Sequence, residues 1–236
     1  MSGKKFQTFI PGIDNRLEGG LPQGSVILLV SDSETCLRIF SQQVPFNIAS
    51  NGGKVFYFSI MKDPQYIREE MDVYNWDVQK FEKKEKWIFV DAYTQKADTI
   101  LQTKEVKPIF SSLTLMRSDV LSKLTEGDVV VIDSLSDLFL SETSKSVIEL
   151  LEIVSAWIRK INGLAIIPLM NEMHSERIRA VTSHIADVVL EFIVGEARFE
   201  GRIIVWKVRR ARVEPLFIPF SITGSGIVAE TFKRVI

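Results

Sequence analysis

A chain of 236 residues is long enough to bury one sizeable core, so we expect a single domain over residues 1–236. The net charge of −1 excludes a globally basic nucleic-acid binder. No apolar run reaches the roughly 18 residues that a membrane helix needs, and MSGKKFQTF lacks the apolar stretch of a secretory signal. With a single cysteine, Cys36, the chain is expected to be cytoplasmic, with no membrane partner and no bound metal.

Apolar runs of strand length alternate with helical patterns along the first 170 residues. An amphipathic helix is predicted over 146–160, and Pro45 is expected to kink the helix that follows the first long strand. Continuous apolar strands that alternate with helices indicate a parallel sheet covered on both faces. We therefore predict an α/β fold with a mainly parallel central sheet, and its strands are expected at 26–30, 54–60, 86–92, 128–133 and 163–170.

The pattern changes after about residue 185. IADVVLEFIVGEARFEGRIIVWKVRRA predicts a strand, a turn and a second strand, and PLFIPFSITGSGIVAE predicts two short strands around TGSG. Because an antiparallel edge on a parallel sheet is common, these C-terminal strands are expected to extend the same sheet in antiparallel fashion.

The segment IPGIDNRLEGGLPQGSVILLV, residues 10–30, combines a short helix, glycines and a buried strand. Asp14 is a candidate N-cap of that helix, and Gly19 and Gly20 are candidates for its end. The segment resembles the opening of the KaiC-like family, RecA-superfamily ATPases that include RadA-like recombinases and archaeal flagellar motor proteins. The resemblance continues through NWDVQKFEKKEKWIFVDA, GDVVVIDSLSDL and VWKVRRARVEPLFIPFSITGSGIVAE. It implies a RecA-like P-loop NTPase fold and an archaeal or bacterial setting.

The phosphate-binding loop is where the chain departs from that family. An intact P-loop reads G-x-x-x-x-G-K-[S/T]; its backbone N–H groups wrap the phosphates, its lysine contacts them and its hydroxyl holds Mg²⁺. The corresponding octet has serine and cysteine in place of the glycines, leucine in place of the lysine and arginine in place of the hydroxyl. Its residues are Ser31, Asp32, Ser33, Glu34, Thr35, Cys36, Leu37 and Arg38.

The sizes of the electrostatic energies argue against triphosphate binding at this loop. Two like charges about 4 Å apart repel by about 4 kcal/mol at an effective dielectric near 20, whereas a helix N-terminus favours an anion by only about 0.3–2 kcal/mol. Asp32 and Glu34 add carboxylates where phosphate oxygens would lie. Two interpretations stay open: an ordinary strand-to-helix turn, capped by Ser33 or Thr35, or a rebuilt site in which Arg38 contacts an anion.

Other residues of the expected site also have two interpretations. Asp133 ends a strand where the resemblance places the Walker B carboxylate, but Asp133 or Ser134 could instead cap the next helix. The glutamate that would activate water after the second core strand is absent, and Asp63 is the nearest acid. His174 could contact a ligand or be solvated, and Cys36 could be reactive at a helix N-terminus but is expected to pack.

Lys207, Arg209 and Arg210 match the Lys-x-Arg strand of the family. The resemblance implies that these residues reach a neighbouring subunit or an anion, and the alternative is a solvated strand edge protected by its charges.

These features predict a KaiC-like protein that has lost ATP hydrolysis and tight ATP binding. It would act as a regulatory or scaffolding protein through contacts with copies of itself or with an active relative, without a cofactor. Two alternatives are an ATP-binding protein or ATPase with a rebuilt P-loop, and a nucleic-acid-binding relative of the recombinases, for which only 198–212 is basic.

Overall fold

The computed structural model describes residues 4–102, 112–195, 199–209 and 216–230. Within these ranges a nine-stranded sheet has the order β11-β10-β9-β8-β3-β7-β6-β4-β5, and a small sheet pairs β1 with β2. The strands are β1 Lys5–Phe6, β2 Leu21–Pro22, β3 Ser25–Ser31, β4 Val55–Ser59, β5 Trp87–Asp91, β6 Val129–Asp133, β7 Leu164–Met170, β8 Val188–Val194, β9 Glu200–Val208, β10 Leu216–Thr223 and β11 Gly226–Ala229.

The parallel half of the sheet confirms the predicted α/β class. Strand β3 pairs in parallel with both β7 and β8, β6 pairs with β7 and β4, and β4 pairs with β5. Every residue of β3 is buried, because helices cover both faces of a parallel sheet. The five strands expected from apolar runs are all present, with ends shifted by at most one residue.

Strands β9, β10 and β11 extend the sheet in antiparallel fashion, as predicted, whereas β8 runs parallel to β3. Strand β9 pairs with β8 on one side and β10 on the other, and β10 pairs with β11 around the turn at Gly224 and Ser225. Since the four strands continue outward from β3, they widen the same sheet.

Helices form a layer on each face of the sheet. They are α1 Pro11–Arg16, α2 Glu34–Ser50, α3 Pro64–Asp72, α4 Gln79–Glu82, α5 Ala92–Gln102, α6 Ser112–Leu115, α7 Leu135–Ser141, α8 Ser144–Lys160 and α9 Glu176–Ile185. Helix α2 contains Pro45 within its 17 residues and continues for five residues beyond it. Helix α8 begins two residues before the predicted helix and ends at the same residue.

The prediction that Asp14 is the N-cap of helix α1 is wrong. The helix begins at Pro11, and the buried Asp14 lies inside it. Its carboxylate accepts hydrogen bonds from the backbone N–H groups of Thr8 and Phe9 and from the Thr8 hydroxyl, at 2.8–2.9 Å. The acid therefore fixes the segment before the helix, where Phe9 has a left-handed φ of 57°.

Candidate functional site

A cavity opens at the carboxyl ends of the central parallel strands, which is where open α/β sheets bind ligands. Its volume is about 260 Å³, slightly below the roughly 300–1,000 Å³ of typical small-molecule pockets. Side chains from the start of α2, the loop after β4, the end of β6 with α7, and the end of β7 line it. They are Glu34, Leu37, Arg38, Met61, Lys62, Asp133, Ser134, Ser136, Asp137, Pro168, Met170 and Met173.

The connection from β3 to α2 is too short to wrap a phosphate. Strand β3 ends at Ser31 and helix α2 begins at Glu34, so Asp32 and Ser33 alone join them. The last five residues of the octet, 34–38, are helical, so the free amides here are those of an ordinary first helical turn and not those of a loop. A P-loop depends on consecutive loop amides that point at one anion, and this connection does not provide them.

Residues of the octet point in different directions. Glu34, Leu37 and Arg38 line the cavity, Thr35 is exposed, and Cys36 is packed in the core. Burial raises the pKa of the Cys36 thiol, which confirms the packing interpretation and makes a reactive thiolate unfavourable.

Ser33 occupies the N-cap position, as one interpretation predicted, but its side chain makes no capping hydrogen bond. The prediction that Thr35 caps the helix is wrong, because Thr35 is its second residue. The Ser31 hydroxyl accepts from the Ser33 N–H at 2.9 Å and donates to the Phe192 carbonyl at 2.8 Å. These two hydrogen bonds fix the turn from β3 into α2 and tie its start to the neighbouring strand β8.

The two cations that the described residues place in the cavity are paired with carboxylates of the chain itself. The Arg38 guanidinium lies 3.4 Å from Glu70, and the Lys62 ammonium lies 3.3 Å from Glu34 and 3.4 Å from Glu70. Glu70, whose side chain is only 13% exposed, also accepts from the Gln42 amide at 3.1 Å. One interpretation predicted that Arg38 contacts a bound anion. In the structure its charge is instead neutralised by Glu70 of the same chain.

Asp133 lies at the end of β6, beside this network. Its carboxylate accepts a hydrogen bond of 2.6 Å from the Tyr57 hydroxyl on the neighbouring strand β4. Burial raises the Asp133 pKa to about 6, although the Tyr57 hydrogen bond and Lys62 both favour the charged form. Burial and the adjacent carboxylate of Asp133 raise the pKa of Tyr57 well above 10. The pair therefore keeps the tyrosine protonated as the donor.

Helix capping accounts for two further acids at this end of the sheet, Asp137 and Asp63. Ser134 is the N-cap of α7 and forms a capping box with Asp137, in which each side chain bonds the backbone of the other residue. This confirms the capping interpretation for Ser134 and not for Asp133. Asp63 is the N-cap of α3, where its carboxylate accepts from the Tyr66 N–H at 2.9 Å. Neither acid is positioned as a free general base.

His174 is not a solvated loop residue. Its Nε2 lies 2.8 Å from the hydroxyl of Ser136, which lines the cavity, and its ring contacts the Phe139 ring. Burial lowers the His174 pKa, so the neutral ring is favoured there. The ring thus supports the cavity wall through Ser136.

Lys207 and Arg209 lie away from this cavity and bind the end of helix α9. The Lys207 ammonium donates to the carbonyls of Ser183, His184 and Ala186, at 2.6–3.0 Å. Arg209 lies 3.0 Å from the Asp187 carboxylate. The interpretation of Lys207 as a solvated residue is wrong, because three carbonyls accept hydrogen bonds from its ammonium. Arg210 lies outside the described residues, and contact with a neighbouring subunit stays a prediction.

Replacing Lys207 by methionine is expected to destabilise the protein by about 1–2 kcal/mol. The three carbonyls at the C-terminal end of α9 lose a charged donor, while the methionine retains the apolar part of the side chain. Thermal unfolding measures the loss, with Lys145→Met as the exposed-lysine control. Equal stability of the two variants would show that the carbonyl contacts contribute nothing.

Three functional residues were not found from the sequence: Lys62, Glu70 and Tyr57. Lys62 follows β4, where the family resemblance places the water-activating glutamate. Glu70 comes from α3. Alternation along β4 predicts which face of the sheet Tyr57 occupies. It does not predict the contact with Asp133, which depends on the parallel register of β4 beside β6.

The charges of the cavity do not fit Mg-ATP. Glu34, Glu70, Asp133 and Asp137 are four carboxylates against the two cations Arg38 and Lys62, among the described residues in or behind the cavity. In the octet, Arg38 takes the sequence position of the hydroxyl that holds magnesium in an intact P-loop, and a cation there would repel the metal. A triphosphate would have to displace internal ion pairs and meet a net negative surface.

Comparison with known proteins establishes the family. The fold is that of the RecA-like P-loop NTPases, and the family profile "ATPase: KaiC" matches residues 6–232. The chain belongs to this KaiC family of ATPases. A UPF0273 protein of Pyrococcus horikoshii is 31% identical over 95% of this chain and 93% of its own length. A UPF0273 protein of Thermotoga maritima is 29% identical over 95% of each chain.

Two further matches carry the KaiC name. The circadian clock protein KaiC3 of Synechocystis is 26% identical over 90% of this chain, which spans 41% of that protein. The crystal structure of a KaiC-like protein of Pyrococcus horikoshii superposes with a TM-score of 0.73 over 97% of this chain and 100% of that chain. At 21% identity this last match supports the fold alone. Within the described part of the chain, no helix is long and apolar enough to cross a membrane.

Proposed function

We propose that this KaiC-family protein neither hydrolyses ATP nor binds it tightly, and that it acts as a regulatory or scaffolding protein through protein contacts. The observation that carries the proposal is the two-residue connection between β3 and α2, which replaces the phosphate-wrapping loop. The family is one of ATPases, so the proposal concerns what this member has lost.

The ion-pair network supports the same proposal independently. In a nucleotide site the cations are available to phosphate, whereas here Glu34 and Glu70 hold Lys62 and Arg38. A hydrogen bond from a charged donor contributes about 1.5–3 kcal/mol, so an incoming phosphate would regain little by exchanging one carboxylate partner for another. The internal carboxylates thus take the place of the nucleotide charge and hold both cations without it.

Catalysis would also lack its proton acceptor. Asp63 caps a helix and Lys62, a cation, projects from the loop after β4. A general base must lie within hydrogen-bond reach of its water, and neither residue supplies one. The proposed partners are copies of this chain or an active relative in the cytoplasm, with no cofactor.

A second candidate is an ATP-binding protein with a rebuilt site. It is favoured by the fact that Arg38 and Lys62 line one cavity and by the Asp133 carboxylate beside them. This candidate requires that phosphate outcompete Glu34 and Glu70 for both cations. Lys207 and Arg209 do not contribute to that cavity within one chain, since α9 and Asp187 engage them.

Phosphate release from Mg-ATP tests the proposal against the second candidate. We expect the wild-type rate to equal that of the Asp133→Asn variant and of buffer. Turnover that disappears on Arg38→Ala or Asp133→Asn, in variants of unchanged fold, would overturn the proposal and establish the rebuilt site. Contaminating ATPases are recognised because neither substitution would affect their rate.

A further inference from the structure

Three side chains converge on one internal carboxylate beside the cavity, that of Glu70. Arg38 and Lys62 both approach its Oε1 atom at 3.4 Å, and the Gln42 amide donates to its Oε2 atom at 3.1 Å. The three donors come from α2 and from the loop after β4, whereas Glu70 belongs to α3. Two cations and an amide that converge on one carboxylate have the composition of an oxyanion-binding site.

The donors need an anion because they are largely removed from water. The side chains of Arg38 and Lys62 are 23% and 30% exposed. A partly buried cation without a partner is unfavourable, and dissolved salt screens such a charge less than one on the surface. Burial lowers the pKa of Lys62, but the neighbouring carboxylates, Glu70 first among them, outweigh burial and raise it above its usual value. Glu70 is therefore the anion that this site requires.

Helix α3, which carries Glu70, has a small buried face. Of its nine residues, Ile67 and Met71 are buried, and Arg68 pairs with Glu82 at 2.7 Å. An element with so few buried apolar side chains belongs to the part of a fold that opens locally at a low cost in free energy. A movement of α3 can therefore withdraw Glu70 from its donors and leave the central sheet intact.

We propose that Glu70 is an autoinhibitory internal ligand, which fills a site for a small oxyanion of the sulfate or phosphate type. Arg38, Lys62 and Gln42 form this site, and it opens when α3 carries the carboxylate away. Arg38 and Lys62 also line the cavity of about 260 Å³, which is larger than a tetrahedral oxyanion. A triphosphate would still lack the loop amides that the short connection from β3 to α2 does not provide.

Two other carboxylates act on the same cations. Glu34 lies 3.3 Å from Lys62, but its side chain is 69% exposed, so water and salt screen its charge. Asp133 also favours the charged form of Lys62, and burial raises the pKa of Asp133 to about 6. Sulfate keeps its charge in weak acid, whereas Asp133 is increasingly protonated below pH 6. Sulfate at about pH 5 is therefore the probe that meets the least competition.

This inference rests on the proposed function and deepens it, since it names the group that keeps an external anion from the two cations. The two fail separately, because sulfate is titrated without nucleotide or magnesium. ATP turnover by wild type would refute the proposed function. Equal sulfate affinity of wild type and a Glu70 variant would refute the internal ligand and leave the proposed function standing.

Titration of the full chain with sodium sulfate, at about pH 5 and constant ionic strength, tests the internal ligand through backbone amide NMR shifts. Glu70→Ala should bind sulfate at least about 10-fold more tightly than wild type, because both cations lose their shared partner. Adding Arg38→Ala to Glu70→Ala should abolish the gain. Glu69→Ala is the matched control, since Glu69 is the exposed neighbour on the same helix and accepts from Gln65. Thermal unfolding establishes that each variant is folded.

A gain in sulfate affinity that Glu70→Ala shows, Glu69→Ala lacks and Arg38→Ala removes supports the proposal. Equal affinity of Glu70→Ala and wild type, a gain of the same size in Glu69→Ala, or a gain that survives Arg38→Ala overturns it. If Glu70→Ala fails to fold, Glu70→Gln decides the question, because glutamine keeps the size of the side chain and removes its charge. The expected gain in that variant is at least about 3-fold, since the amide still occupies part of the site.

Discussion

Replacing Asp14 by alanine is expected to lower the free energy of unfolding by about 3–5 kcal/mol, the largest effect we predict for a single substitution. The carboxylate is buried and accepts three hydrogen bonds, two of them from backbone N–H groups of Thr8 and Phe9. A buried polar group left without its partner costs about 1–3 kcal/mol. Thr8 is itself fully buried, so water cannot replace the lost acceptor there.

The measurement is chemical denaturation, with Asp72→Ala as the exposed-aspartate control. For a chain of this length the loss should lower the thermal midpoint by roughly 6–20 °C. A change of less than about 1 kcal/mol in Asp14→Ala would mean that the segment before α1 rearranges to satisfy its own amides. The position matters to the fold because this segment and α1 cover the antiparallel strands near Ala229.

Asp133→Asn is expected to become more stabilising as pH rises, which is the second large effect. The folded-state pKa is raised from 3.8 to about 6, so the folded protein holds the proton more tightly than the unfolded chain. The stabilisation of the folded state by this proton is fully present below pH 3.8 and is lost as pH rises through about 6. At pH 8 the charged carboxylate should lower the free energy of unfolding by about 1–3 kcal/mol, a range that extends below the full shift because Asp133 is half-buried.

Urea denaturation at pH 4 and pH 8 measures this difference. The stability of Asp133→Asn relative to wild type should increase by about 1–3 kcal/mol between the two values. Tyr57→Phe is the companion variant, because it removes the hydrogen bond that favours the charged carboxylate and should therefore increase the pH-dependent loss. A difference between Asp133→Asn and wild type that does not change with pH would contradict the assigned pKa.

Much of the fold could be predicted because its signals are local. Strands such as β3 and β6 are continuous apolar runs, and the helix over Ser144–Lys160 has an amphipathic pattern. The order of the motifs then indicated the family. The N-cap assignment of Asp14 is wrong because the helix begins earlier, at Pro11, and the Asp14 side chain reaches back to amides that precede the helix.

The candidate site was less predictable, since its contacts join residues that are distant in sequence. The octet itself indicated that no phosphate loop was present, but it did not reveal what neutralises Arg38. Glu70 comes from α3, and its contacts with Arg38 and Gln42 depend on how α3 packs on α2. Similarly, Lys207 was interpreted from its strand alone, whereas the carbonyls that it binds belong to α9 and its end.

Calorimetric titration of the protein with Mg-ATP tests the central claim most directly. A two-residue connection and a cavity whose cations are held by Glu34 and Glu70 predict no saturable heat up to millimolar nucleotide, which corresponds to a binding free energy weaker than about −4 kcal/mol. Saturable binding with a dissociation constant near 1 µM, about −8 kcal/mol, that Arg38→Ala weakens would contradict the account.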